Sequence, residues 1–284
     1  MLFFLVLAVL TLAFLVVASY SDLRTREVPD MLSYGLIITA LGVRAIFAPV
    51  EGWAVLFNGV IGFVVCFVLA WLLYKSNLWG GGDSKLLMGM GAAMGITYPL
   101  EASSLLLLWF FILLLMVGSI YGLAWLIGLS LFHRKTCLPA FMEKIKQYPK
   151  TQWGLCLSSV VVIGFSFLNI LWLLLLLPLI VFYLFLFVTT IEEECFVKRI
   201  SPLKLTEGDW LQEEIRVDEE RFPRRRALEK KDIEILQTAH HEGKLSSVVI
   251  REGIPFVPSF LLAYIVTLWG MPLAVSLGNV FLGL

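Results

Sequence analysis

The chain has 284 residues, 59% of them hydrophobic and 15% charged, with a mean hydropathy of +0.88, whereas soluble domains are about 45–50% apolar and about 25% charged. These values exclude an ordinary soluble domain and indicate a polytopic membrane protein, and a net charge of zero points to no nucleic-acid partner. The four cysteines, Cys66, Cys137, Cys156 and Cys195, form no C-x-x-C pair, so no zinc site or other metal site is expected.

Residues 2–20 form an apolar run about long enough to cross ~30 Å of hydrocarbon. No basic segment precedes it, as one would a cleaved signal; the positive charge follows, at Arg24 and Arg26. Positive residues stay in the cytoplasm, so this run reads as a retained span whose far end, with Asp22, faces inward. Residues 31–48 return outward, 53–74 come back in, 86–96 lead outward again, and 102–132 form a long fifth span.

Residues 133–152 are basic, with Arg134, Lys135, Lys144, Lys146 and Lys150 against Glu143 alone, which puts them inside. Residues 153–190 are then uniformly apolar, and a straight helix of that length would reach about 57 Å, nearly twice the hydrocarbon thickness. A hairpin turning near Asn169 or Pro178 fits better, because it returns the polar stretch 191–252, with Arg224-Arg225-Arg226 and Lys230-Lys231, to the cytoplasm. Within that stretch residues 226–241 have the spacing of an amphipathic helix, with Leu228, Ile233, Ile235 and Leu236 among charges.

The expected fold is therefore all-α, a polytopic transmembrane helix bundle of about eight spans (six at fewest) with a small cytoplasmic polar region. Its parts are a five-span membrane core (1–132), a basic loop (133–152), an apolar hairpin or long helix (153–190), the polar region (191–252) and a C-terminal span (253–284). Cys66 and Cys156 lie in apolar runs and read as small core residues. His133, His240 and His241 lie in polar segments and read as loop residues.

Two carboxylates stand at span ends. Asp22 closes the first run, and Asp83 follows Gly80-Gly81-Gly82 at the mouth of the fourth. A carboxylate beside a membrane is costly and asks for a reason. The spans between them bring both to the same inner face. Two adjacent carboxyls share one proton, so that one acts as base on a water while the other polarises a carbonyl and serves the leaving amine. Glycines 80 to 82 offer bare backbone to an extended peptide. Pro255, Phe256 and Pro258 break the start of the last span and offer further backbone groups. Lys85 stands next to the pair, and Glu27 with Glu192, Glu193 and Glu194 are acids suited to a basic peptide. Taken singly, Asp83 also fits a helix N-cap, Asp22 an end-of-span charge beside arginine, and Asp30 an N-cap.

The motifs resemble those of type IV prepilin peptidases, membrane aspartyl proteases with a G-x-G-D signature. Gly80-Gly81-Gly82-Asp83-Ser84-Lys85 fits that signature. Ser21-Asp22-Leu23 with Val28-Pro29-Asp30 resembles the first motif, with Val28 and Asp30 in place of the commoner Ile and Asn. Ile254-Pro255-Phe256-Val257-Pro258 resembles the third, Ile-Pro-Phe-x-Pro. The resemblance implies Asp22 and Asp83 as the catalytic pair and Gly80, Gly81, Gly82, Lys85, Pro255, Phe256, Pro258 and Glu27 around the substrate. It implies pilin-like or archaellin precursors as partners, lipid as surroundings, and cleavage of short basic leaders on the cytoplasmic side of the cell membrane. With no four-cysteine cluster, the chain is most similar to the archaeal preflagellin peptidases, which implies cleavage without methylation, metal or cofactor.

Two rivals differ in class. An intramembrane-cleaving G-x-G-D protease would carry its aspartates inside apolar runs rather than at their ends. A transporter or scaffold would show paired broken helices, and the glycine-broken and proline-broken segments here are not symmetric.

Overall fold

The computed structural model describes residues 2–76, 78–98, 105–167, 169–206, 208–217, 220–223, 228–251 and 253–282, with side chains as far as Gly270 at the C-terminal end. Pro99, the expected start of the fifth span at Ala102, the run Arg224-Arg225-Arg226 and Glu252 lie outside the described residues. The chain forms two compact units, Met1–Leu123 with Ile254–Leu284, and Ala124–Gly253.

The first unit is helical. Its elements are α1 (Leu2–Thr25), α2 (Asp30–Glu51), α3 (Ala54–Lys75), α4 (Gly81–Met94), the first part of α5 (Leu105–Phe132), and α10 (Val257–Leu282). Helix α1 stops because Arg26 turns left-handed, at φ 61°, its N–H returning 2.9 Å to the Asp22 carbonyl, and because Pro29 follows three residues later. Helices α1, α2, α3 and α5 are each long and apolar enough to cross a membrane, as is the stretch Ile170–Cys195 in the second unit, and the chain is a multi-pass membrane protein.

Helix α4 differs. At 14 residues it reaches only about 21 Å, short of a bilayer's ~30 Å. It packs against α2 and α3, and its sequence shows how. A Cβ on Gly62 of α3 would fall 2.3 Å from the Gly91 carbonyl oxygen, and one on Gly91 would fall 2.4 Å from the Gly62 oxygen. The two backbones touch, which in lipid is the main source of helix association. Leu86, Leu87 and Met90 on α4 are fully buried and join Leu15 and Ala18 of α1, Phe110 and Leu114 of α5, and Phe260 of α10 in one core.

The second unit takes the end of α5, then α6 (Arg134–Lys146) and α7 (Pro149–Ser166), followed by a 3-10 segment (Ile170–Leu176) that leads into α8 (Leu177–Cys195). The apolar stretch 153–190 is a hairpin. Helix α7 ends at Ser166, and the 3-10 segment is capped by Asn169, whose side chain accepts the Leu171 N–H at 2.9 Å. Phe165 stacks on Trp172 beside the turn, and Tyr148 meets Phe182 at the other end.

The polar stretch then forms strands β1 (Val197–Ile200), β2 (Trp210–Leu211), β3 (Ile215–Val217), β4 (Glu220–Phe222) and β5 (Val248–Arg251), with α9 (Lys230–His241) between β4 and β5. The order is β1-β5-β2, antiparallel, with Val197 opposite Arg251 and Leu211 opposite Ile250; β3 and β4 make a separate hairpin. Helix α9 opens at Lys230, later than the expected 226, so Ile233, Ile235 and Leu236 form its apolar face and Leu228 lies ahead of it. Leu228, Ile233 and Leu236 are buried with Leu211, Phe222, Val248 and Ile250, giving this small region a core of its own. Its first turn is closed by a capping box between Glu229 and Asp232.

One expectation about cysteine needs correction. Cys66 is buried, but Cys156 is exposed on α7; lipid accepts an apolar face outside as readily as a core accepts it inside. Cys137 and Cys195, far apart in sequence, bring their Sγ atoms within 3.2 Å as free thiols.

Candidate active site

Asp22 lies on the last turn of α1 and is buried, 6% exposed. Its Oδ2 accepts the Val257 N–H at 2.9 Å. Asp22 is therefore not an idle end-of-span charge: it caps the start of α10. Residues 255 to 258 explain why. Pro258 stands second in the helix, where a missing N–H costs nothing, and the Val257 N–H, unpaired within the helix, is free for a carboxylate. Ser19 donates to the Val257 carbonyl at 3.4 Å and Ser259 to the Phe256 carbonyl at 2.6 Å, holding the same strand-like approach.

Asp83 is the third residue of α4, half-buried. The N-cap is Gly80, in extended backbone at φ −71° and ψ 163°, so Asp83 lies within the first turn of the helix and is not its N-cap. Asp22 and Asp83 lie within electrostatic reach of each other. Arg26 and the Tyr121 ring oxygen stand in the same field.

The glycines divide in role. Gly80 makes the turn into the helix. Gly81 and Gly82 are already helical. A Cβ on Gly82 would stand 3.3 Å from the Val28 Cβ, so its bare backbone serves the close approach of the first motif to α4. Lys85 points to Asp30, Nζ to Oδ1 2.5 Å, and lies 5.5 Å from the centre of the Tyr34 ring. Asp30 is hence an ion-pair partner in the first turn of α2, whose N-cap is Pro29. Pro255 and Pro258 are buried and Glu27 is exposed. Phe256 packs on Trp79 at 5.6 Å and on Phe260 at 5.9 Å, with Gly118 of α5 so close that a Cβ there would fall 2.7 Å from the ring.

The structure therefore gathers Asp22, Asp83, Gly80, Gly82, Lys85, Phe256 and the two prolines at one end of the helices. In the second unit, Glu192 pairs with Arg251 at 2.5 Å and Glu193 with Lys144 at 2.6 Å; two of the three acids are already neutralised within the chain. Val257, Trp79, Gly118 and Tyr121 escaped the sequence reading. Val257 acts through its backbone, which no side-chain pattern reveals, and only its place as the variable residue of Ile-Pro-Phe-x-Pro marks it. Among the described residues no group of three or more His, Cys, Asp or Glu is arranged to hold a metal ion.

Residues 9–131 match the type IV leader peptidase family. The preflagellin peptidase of Methanococcus maripaludis is 37% identical over 81 residues, 28% of this chain and 34% of that protein. That of Methanococcus voltae is 29% identical over 91 residues, 31% of this chain and 39% of its own length. The prepilin peptidase EppA of Methanothermobacter thermautotrophicus is 25% identical over 169 residues, 52% of this chain and 42% of that protein. The chain thus spans about a third of the length of the preflagellin peptidases it matches. No solved structure matches it. The stretch that matches the type IV leader peptidase family, residues 9–131, carries both aspartates.

Proposed function

We propose that the protein is a membrane aspartyl endopeptidase that removes short basic leader peptides from pilin-like or archaellin precursors at the cytoplasmic membrane face. The observation that carries this reading is that Asp22 and Asp83, from two different motifs, lie within electrostatic reach at one end of α1 and α4. Two such carboxyls share a proton. Asp22 receives the Val257 N–H and faces Arg26, so it is the partner read as ionised. It takes a proton from the attacking water. Asp83, in the field of Asp22, is read as the protonated partner, which donates to the scissile carbonyl oxygen as the tetrahedral intermediate forms. As the C–N bond breaks, the proton gained by Asp22 goes to the leaving amine and a hydroxyl proton of the intermediate returns to Asp83.

The same-end placement of Arg24, Arg26 and Lys85 supports a cytoplasmic orientation. The names of the archaeal relatives, preflagellin peptidase and prepilin peptidase, support pilin-like or flagellin-like precursors as substrates. The test is cleavage by the purified full chain, in liposomes, of an archaellin-like precursor with a basic leader. The product should begin at the precursor's hydrophobic segment, as read by mass spectrometry. A precursor left whole under conditions where a known peptidase of this family cuts it would refute the reading.

A further inference from the structure

Arg44 lies in the middle of α2, a span, and is 4% exposed. A buried arginine at such depth needs strong compensation, and among the described residues no carboxylate pairs with it. Its compensation is backbone. Nε donates to the Ala92 carbonyl at 2.9 Å, one terminal nitrogen to Ala93 at 2.8 Å, and the other to Val55 at 2.7 Å. The Phe3 ring lies 5.6 Å from the guanidinium carbon.

Ala92 and Ala93 belong to the last turn of α4, whose carbonyls have no partner inside the helix. Because α4 stops short of a full crossing, those oxygens end among other helices, where each unsatisfied group costs several kcal/mol. The guanidinium supplies donors in a planar fork and puts a cation at the negative end of the helix dipole. Room for it is built in. A Cβ on Gly59 would fall 2.3 Å from the Arg44 Cδ, and one on Gly95 would fall 2.8 Å from a terminal nitrogen. Gly95 also turns the chain out of α4 at φ +70°, a conformation few other residues adopt. The Ile96 N–H then bonds the Asn58 carbonyl of α3 at 2.9 Å.

The two ends of α4 thus do different things. One end presents Asp83; the other is fastened to α2 and α3 by the Arg44 side chain together with the Ile96–Asn58 hydrogen bond and the Gly62–Gly91 contact. We propose that Arg44 is a positioning residue for Asp83: by holding the C-terminal end of α4 it fixes the height at which the Asp83 carboxyl meets Asp22. A helix of this length moves as a rod, so slippage at Ala92 and Ala93 displaces Asp83 by a similar amount. The inference rests on the peptidase reading for its catalytic meaning, though not for its geometry.

The test has two readouts on the full chain in liposomes. In the first, Arg44→Lys and Arg44→Met are compared with wild type for precursor cleavage. A displacement of about 1 Å at a reacting group costs on the order of 10²-fold, so kcat should fall by that order with KM little changed. In the second, Cys66, Cys137, Cys156 and Cys195 are replaced by alanine and Asp22→Cys and Asp83→Cys are introduced. Linkage of the two new cysteines by a short bis-methanethiosulfonate reagent should be at least fivefold slower when Arg44 is replaced. Equal cross-linking in the Arg44→Lys variant and its parent would overturn the proposal, whether or not Arg44→Met folds. If wild type cuts no precursor, the peptidase reading fails while the cross-linking result still decides the role of Arg44.

Discussion

Replacing Val257 by proline removes one hydrogen from the candidate site. The Val257 N–H donates to Asp22 at 2.9 Å, and Val257 opens α10. Proline at the first position of a helix keeps the required backbone and loses only an N–H that the helix does not use. Phe256, the residue before it, is already outside the helix, as a residue preceding proline should be. A hydrogen bond to a charged group contributes about 1.5–3 kcal/mol. At about 1.4 kcal/mol per tenfold, its loss from a carboxylate that must hold water in place should slow cleavage by roughly ten- to one-hundred-fold. Val257 is 1% exposed, so packing changes as well, and Val257→Ala is the control: it loses apolar contact but keeps the N–H. The assay is the initial rate of precursor cleavage by equal amounts of each folded variant in liposomes. If Val257→Pro and Val257→Ala cleave at rates within twofold of each other, the hydrogen bond does not orient Asp22 for catalysis.

Gly118→Ala should press on the Phe256 ring, which is held between Trp79 and Phe260; overpacking of this kind costs about 1–3 kcal/mol, visible as earlier thermal unfolding together with slower cleavage. Asp30→Asn breaks the ion pair with Lys85, but the Asp30 side chain is 62% exposed, and exposed pairs contribute at most about 1 kcal/mol. Its cleavage rate should therefore stay within about threefold of wild type, and a larger loss would give Lys85 a role in the site. In the second unit, hydrogen bonds from Arg221 and then Arg216 hold the Glu214 carboxyl below its ordinary value of 4.5. A lowered folded value means that the stabilisation is present above the ordinary value and is lost as pH falls through the lowered one. Amides of Ile215–Val217 and Glu220–Phe222 should lose protection in that acidic window in wild type and show no such step in Glu214→Gln, by hydrogen exchange corrected for intrinsic rates.

How much of this was legible in the sequence depends on which group does the work. Asp22 and Asp83 stood out because a carboxylate at the end of an apolar run is expensive, and the structure brings them together through α1 and α4. Length left 153–190 open between a long helix and a hairpin, and the basic residues that follow, Lys230-Lys231 among them, favoured the hairpin. The α9 face was readable from Ile233, Ile235 and Leu236, whereas Leu228 lies ahead of the helix. The strands of the polar region were not, because segments of two to four residues are too short to show alternation. Cys156 was misjudged because lipid removes the contrast between an inner and an outer apolar face. Arg44 was hidden as one charge in a hydrophobic run: its partners are the carbonyls of Val55, Ala92 and Ala93, and carbonyls carry no sequence signature. The Asp30 and Lys85 pair joins two motifs across α2 and α4, a contact that spacing along the chain does not disclose.

The most direct test of the central claim compares wild type, Asp22→Asn, Asp83→Asn and the double variant, each in liposomes at equal folded amount, for initial cleavage rate on one leader-bearing precursor. Groups that act as a unit on a single water give non-additive losses. Each single substitution should therefore lower the rate on the order of 10³-fold or more, and the double should be no slower than either single. A single variant that keeps wild-type turnover would contradict the account, because the peptide bond would then be cut without that carboxyl.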